Sequence, residues 1–231
     1  MNNNLKSALL NSVGGGIDAI GYIALFGFFT AHVTGNLVVA GASWVEGDPG
    51  LWIKLLAIPV FIFTVFLCKL IIDRGAKVLQ PNVLLSSIFL LEALLLSLFM
   101  LAGLYFTPFE GAGAGDLAAT AFLGLAALAV RNTSGKTLLK DVAPSTVMTG
   151  NATSLGMELA EFFSTGKEKD RKELLKSFIN VLTFVLGAFV GTLLYVKLGF
   201  WSVAFFVFID LVLAYFAYQY QICPKPSGEG S

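Results

Sequence analysis

The sequence predicts an all-α integral membrane protein: six transmembrane helices in a 3+3 inverted repeat, with two short re-entrant or broken helices between them. Composition, the number of apolar stretches and a repeated tripeptide predict it. The 231 residues are 56% hydrophobic and 13% charged, with a mean hydropathy of +0.80, against roughly half apolar and a quarter charged in soluble domains. A water-soluble globular protein is excluded. Six apolar stretches each approach the ~20 residues a helix needs to cross a bilayer. Long runs such as Leu90 to Leu104 show no period of two, which excludes a barrel of short alternating strands.

The expected spans, in order, are Leu9 to Phe28, Leu51 to Ile72, Val83 to Phe106, Ala118 to Leu139, Leu174 to Val196 and Phe200 to Gln219. Their orientation follows from the basic residues. Of fifteen Lys and Arg, only Lys54 and Lys197 fall near one set of ends, and the other thirteen fall on the side of the N-terminus. That side is read as cytoplasmic, with both termini there, which suits a bacterial inner membrane protein. The outer loops hold Glu46, Asp48, Glu110 and Asp116 beside Pro49, Pro108 and glycines, which is turn chemistry. Trp44, Trp52 and Trp201 are expected as outer interface anchors. The N-terminal run has no convincing cleavage site and is read as retained. Residues 223–231 read as a disordered cytoplasmic tail.

Between the spans lie two segments with the same tripeptide, Thr34-Gly35-Asn36 and Thr149-Gly150-Asn151. Each follows the first span of its half and precedes two more, dividing the chain into repeats 1–110 and 111–222 of one membrane domain. Asp18 lies eighteen residues before Asn36, and Asn132 nineteen before Asn151. Three crossings per half is odd, so the second copy must be inverted. The tripeptides then approach the midplane from opposite faces. Thr or Asn can cap free backbone N–H groups, Gly allows close approach or an unusual backbone angle, and a helix start inside the membrane favours an anion, a carbonyl oxygen or water. The alternative is that both glycines only let helices pack closely.

Four ionisable residues fall deep inside spans, well away from the span ends: Asp18, Glu92, Arg131 and Asp210. Charges at that depth face partners or cavities and are functional candidates. The alignment puts Arg131 and Asn132 at the depth of Asp18, so an Asp18–Arg131 pair across the halves is expected, either coupling protons or holding the halves together. Glu92 and Asp210 either carry protons or stay protonated against a neighbouring helix. Thr133, Ser134, Lys136, Thr137 and Lys140 make the end of the fourth span polar, as a cytoplasm-facing vestibule requires. Glu158 and Glu161 read as a solvated face. Gly187 and Gly191 have GxxxG spacing and mark helix packing or a dimer face. Ser134-Gly135-Lys136-Thr137 lacks the leading glycine of a phosphate loop, having Val130 there.

Other chemistry is excluded by what the chain lacks. Balanced charge gives nucleic acid no basic surplus. Cys68, Cys223 and the one histidine, His32, cannot build a metal or disulfide framework. No cofactor box is visible, and no base–nucleophile constellation supports an enzyme.

The segments GGGIDAIGYIALFGFFTAHVTGNLVVAGA and LAVRNTSGKTLLKDVAPSTVMTGNATSLG resemble the YoaK-like family of bacterial membrane proteins, a family of unknown function, over essentially the whole chain. The resemblance implies a bacterial inner-membrane protein of about six spans and supplies no substrate. The family more often has Gln where this chain has Arg131. The reading expected from the residues is a small transport protein, a secondary transporter or channel, passing a small polar or anionic solute along Thr34, Gly35, Asn36, Asn132, Thr149, Gly150 and Asn151. Its partners are the lipid bilayer, the solute and a possible second copy. The alternative is a non-transporting membrane assembly or regulatory partner.

Overall fold

A computed structural model describes residues 3–139 and 148–219, all of them in helices or the turns between. The helices are α1 (Asn3–Ala24), α2 (Val33–Glu46), α3 (Leu51–Gly75), α4 (Pro81–Phe106), α5 (Gly115–Thr137), α6 (Met148–Thr165), α7 (Glu168–Leu198) and α8 (Val203–Gln219), with a 3-10 turn at Gly199–Ser202 before α8. Residues that cannot continue a helix set the ends. Pro81 opens α4, where its missing N–H costs nothing. Gly47 closes α2 in the left-handed conformation, its N–H reaching back to Ser43 and Trp44. Gly199, at φ 57°, breaks α7 from α8.

Four stretches are long and apolar enough to cross a membrane: Leu51–Gly75, Pro81–Phe106, Gly115–Thr137 and Arg171–Gln219. The last is 49 residues long and contains α7, the turn and α8 folded back on each other. Gly16 of α1 meets both Gly191 of α7 and the Phe206 ring of α8. The protein is therefore a multi-pass membrane protein. α1, diluted by Asn11, Ser12, Asp18 and three consecutive glycines, is less apolar than these four.

The first span was expected to reach Phe28, but α1 stops at Ala24. Phe26 (φ 51°) and Gly27 (φ 79°) turn the chain left-handed, and Gly27 N–H closes the helix on the Tyr22 carbonyl at 2.9 Å. Tertiary placement of the next eight residues overrides an apolar run that could have stayed helical. α7 begins at Glu168, ahead of its apolar stretch, because the charged EKDRKE segment continues the helix into a polar region.

Packing uses two kinds of seam. α1 and α7 run parallel on a glycine seam: a Cβ on Gly187 would lie 2.2 Å from the Ser12 carbonyl oxygen, and one on Gly15 2.2 Å from that of Phe184. The GxxxG spacing thus serves packing within the chain. Polar bonds extend this seam, with Ser7 Oγ donating to Asn180 Oδ1 and Asn11 Nδ2 donating to the same oxygen at 3.1 Å. α4 and α8 run antiparallel, tied by Asn82 Nδ2 to the Tyr218 carbonyl at 3.0 Å and Ser86 Oγ to that of Ala214 at 2.9 Å. α5 packs on α3 and α4.

Burial separates inner from outer helices. The apolar window of α5 is 72% buried and that of α3 only 17%, although α3 is the more apolar. An exposed apolar helix such as α3, with Ile62, Phe63 and Phe66 outward, belongs against lipid. Trp44, Trp52 and Trp201 are exposed, at the ends of α2, α3 and the turn before α8, and Trp52 Nε1 donates to the Gly113 carbonyl at 3.1 Å. At the same end Lys54, buried in α3, is neutralised by Asp48 Oδ2 at 2.6 Å and donates to Ser43 Oγ at 2.7 Å. The expected tail at 223–231 lies outside the described residues.

Candidate functional site

Both tripeptides sit in the first turn of a short helix, Thr34-Gly35-Asn36 in α2 and Thr149-Gly150-Asn151 in α6. The expected cap, however, is not a Thr or Asn of the tripeptide. The residue at the N-cap of α2 is His32, without a side-chain cap bond, and the anion that answers the helix start comes from α1. Asp18 Oδ1 accepts the Ala31 N–H at 2.7 Å and the His32 N–H at 3.3 Å, with Thr30 Oγ1 at 3.5 Å. Asp18 Oδ2 accepts from His32 Nδ1 at 2.7 Å. A carboxylate only 5% exposed is thereby satisfied by donors and by the positive end of the α2 dipole.

This overturns the expected Asp18–Arg131 pair. Arg131, in α5, donates from Nε to Glu92 Oε1 and from Nη2 to Asp210 Oδ1, each at 2.5 Å, and from Nη1 to the Leu10 carbonyl at 2.6 Å. It joins α1, α4, α5 and α8 at one point, with Arg131 1% and both carboxyls 0% exposed. Glu92 and Asp210, expected either to carry protons or to stay protonated and hydrogen-bonded to a neighbouring helix, both accept from Arg131 of the neighbouring helix α5, at ion-pair distance. The sequence singled out these four groups as charges inside helices, and the structure buries all four. Which faces of the helices meet was not legible from depth, and Asp18 points to its own following loop.

Asn36, expected along the path, lines neither of the two cavities described below. It is fully buried, and its amide accepts the Phe29 N–H and donates to the Phe29 carbonyl, both at 2.8 Å. It clamps the turn against α2 as a strand neighbour would. Gly35 fits beneath, since a Cβ there would lie 3.1 Å from the Phe29 ring. Asn151 is buried, with Nδ2 3.8 Å from Met148 Sδ.

The two helix starts meet at one cavity of about 380 Å³. Ala31, His32, Val33 and Thr34 supply one wall, and Met148 and Thr149 another. Asn132, Thr133 and Lys136 of α5 and Phe61 and Val65 of α3 complete it. Lys136 is exposed, so the cavity reaches the surface at the C-terminal end of α5. Of the residues expected to line a vestibule, Asn132, Thr133 and Lys136 line this cavity, whereas Ser134 is buried against the Arg131 carbonyl at 2.8 Å and Thr137 bonds to that of Thr133 at 2.6 Å. Lys140 lies outside the described residues. A second, more open recess of about 340 Å³ lies between α1 and α7, with Asp18, Tyr22, His32 and Phe184 in its lining. His32 is common to both.

His32 was seen in the sequence only as a histidine too isolated to build a metal site. Its position two residues before Thr34, at a helix start, was the available signal. Glu161 is exposed as expected, whereas Glu158 is half-buried with Oε2 enclosed and without a hydrogen-bond partner. Among the described residues no cluster of three metal-ligating side chains occurs.

A family model described as "Protein of unknown function (DUF1275)" matches residues 7–216. The chain is similar to the "UPF0700 transmembrane protein YoaK" of Bacillus subtilis (strain 168), 26% identical over 195 residues that cover 82% of this chain and 83% of that protein. No solved structure matches.

Proposed function

The chain belongs to the DUF1275 family of proteins of unknown function, and from that premise we propose that it is a small membrane transport protein, a secondary transporter or channel for a small polar or anionic solute. The observation that carries this reading is the shared cavity. Two short helices far apart in sequence, each opened by Thr-Gly-Asn, bring their first residues to one space lined by both polar and apolar side chains. Broken helices that meet within a membrane are tolerated where they line such a space, and transporter sites are built this way.

The order of elements supports an inverted repeat of six crossings, α1, α3 and α4 against α5, α7 and α8, with α2 and α6 re-entrant. Each half reads long, short, long, long. The packing of α1 on α7 is matched by α5 on α3, that of α2 on α3 by α6 on α7, and α4 packs on α8. Neighbouring helices also run in the directions that inversion requires: Asn11 lies by Asn180, whereas Gly16 lies by Phe206 and Leu10 by the Arg131–Asp210 pair. The charge asymmetry supports a cytoplasmic side for both termini and for the cavity opening at Lys136, in a bacterial inner membrane. Two regions share His32, so a path would run from the cavity past that ring to the recess beside Asp18. The chain carries out no chemistry on its solute in this reading.

The test is labelling of Thr34→Cys and Thr149→Cys, in protein without Cys68 and Cys223, with a membrane-impermeant maleimide applied to each face. Both positions should react from the cytoplasmic side, and position 34 also from outside when the path is open there. If neither reacts while loop controls do, the helix starts are packing contacts and an assembly partner is the better reading.

A further inference from the structure

We propose that the recess between α1 and α7 binds a membrane-dissolved phenol, whose hydroxyl donates to His32 Nε2. The site goes beyond the transport reading and does not rest on it. The recess has a volume of about 340 Å³, at the low end of the roughly 300–1,000 Å³ of small-molecule sites. Its wall is a row of rings. Tyr22 lies 4.8 Å from Phe29, Phe29 6.0 Å from His32 and His32 5.9 Å from Phe184, between centroids, and all four line the recess. Ala19 and Ala188, with short side chains, leave the space beside them open. Around the mouth Ile23 of α1 and Leu186, Phe189 and Leu193 of α7 are exposed, as a face against lipid requires. An occupant therefore arrives from the bilayer.

His32 fixes the chemistry of that occupant. The contacts of its ring are with Asp18, Phe29 and Phe184, all part of this lining. Nδ1 bonds to Asp18 Oδ2 at 2.7 Å. A carboxylate only accepts, so the proton of the neutral ring sits on Nδ1 and Nε2 carries a lone pair. Asp18 does not require a charged ring, because its other oxygen accepts the Ala31 and His32 N–H groups. Nε2 has no hydrogen-bond partner among the described residues and is not enclosed, and the side chain is 37% exposed. A bare acceptor set among aromatic groups selects a donor. An anion would meet the Asp18 carboxylate with no Lys or Arg in the lining among the described residues, and a cation is costly to bring through lipid. A neutral hydroxyl remains, and the row of rings favours one carried on an aromatic ring that packs edge or face against them.

His32 is the one histidine of the chain, so ¹⁵N-histidine labelling of the full chain, purified without a histidine tag, gives a single ring to observe. NMR in phosphatidylcholine nanodiscs at about pH 9, above the usual histidine value and below the phenol value of about 10, reads both nitrogens. The unliganded ring should show Nδ1 protonated and Nε2 bare. Added para-butylphenol should shift Nε2 saturably toward a hydrogen-bonded position and leave Nδ1 in place. Its methyl ether, which cannot donate, should leave Nε2 unshifted and compete about tenfold more weakly, the worth of one hydrogen bond. Octanol, a hydroxyl without a ring, should bind about fivefold more weakly than the phenol. Ala188→Leu fills the recess and should abolish the phenol shift while the unliganded spectrum stays that of the parent. Asp18→Asn turns an amide N–H₂ toward Nδ1, moves the ring proton to Nε2 and should remove the preference for the phenol over its ether. An unliganded ring protonated at Nε2, no Nε2 shift with the phenol, equal binding of octanol, a full phenol shift in Ala188→Leu, or an unchanged preference in Asp18→Asn overturns the inference. So does an Nε2 already hydrogen-bonded before phenol is added and freed at lower protein-to-lipid ratio, which would make a second copy the occupant.

Discussion

Replacing Arg131 with Met keeps the length of an apolar stem and deletes the one cation that joins four helices. The guanidinium makes three hydrogen bonds of 2.5–2.6 Å, to Glu92, Asp210 and the Leu10 carbonyl, and all of these groups are away from solvent. Without it two carboxyls with no exposed surface lose their counter-charge, and a backbone carbonyl loses its donor. Removing one partner of a buried ion pair costs about 3–5 kcal/mol, and Tm moves about 2–4 °C per kcal/mol in a chain of this size. The expected drop is on the order of 10 °C. Thermal denaturation of purified protein in detergent, read by loss of the monodisperse size-exclusion peak, measures it. Glu92→Gln should cost much less, about 1 kcal/mol, because its Oε1 still accepts from Arg131 and one positive charge then faces one negative. Replacing all three by apolar residues, Arg131→Met with Glu92→Leu and Asp210→Leu, should regain most of the loss, since no charge stays buried without a partner. A single Arg131→Met variant as stable as the parent, or a triple variant less stable than the single, refutes this account.

Three further outcomes follow from the same geometry. Gly187→Ala puts a methyl 2.2 Å from the Ser12 carbonyl oxygen, a backbone atom, and should destabilise by about 1–3 kcal/mol, whereas Gly41→Ala in α2, with nothing within 4 Å, should be silent; thermal unfolding of the two separates them. Asp18→Asn sets an amide N–H₂ against the His32 ring donor, so it should loosen the start of α2 and raise maleimide reactivity at position 34; uptake with unchanged pH dependence in this variant would remove Asp18 from coupling. Asp48, outside the spans, is lowered from 3.8 to about 2, chiefly by its hydrogen bond from Lys54 and then by the Gly50 N–H. Its contribution to stability is therefore complete above pH 3.8 and is lost as pH falls toward about 2, so Asp48→Asn should flatten the stability profile over that window alone.

The helix content and the tripeptide positions were legible in the sequence because they depend on local properties. Apolar run length, glycine and proline breaks and basic-residue placement report on each segment by itself. They located α3, α4 and α5 to within about three residues, put both tripeptides at helix starts, and singled out Asp18, Glu92, Arg131 and Asp210 as charges needing partners. Sequence spacing also marked Gly187 and Gly191, and the structure made them an internal seam with α1.

Only the tertiary structure decided which partners those charges take. Depth in a bilayer is one coordinate, and a side chain on a helix also has an azimuth that the sequence does not reveal when apolar residues surround it on every face. Asp18 and Arg131 share a depth in the sequence alignment, yet Arg131 turns toward α4 and α8 and Asp18 toward the loop that opens α2. The same missing coordinate hid the role of Asn36, which binds the Phe29 peptide, and of His32, which stands between the two cavities. Composition determined that this chain lives in a membrane as helices; the rotation and crossing of those helices, set by glycine contacts and buried hydrogen bonds, determined where its polar groups meet.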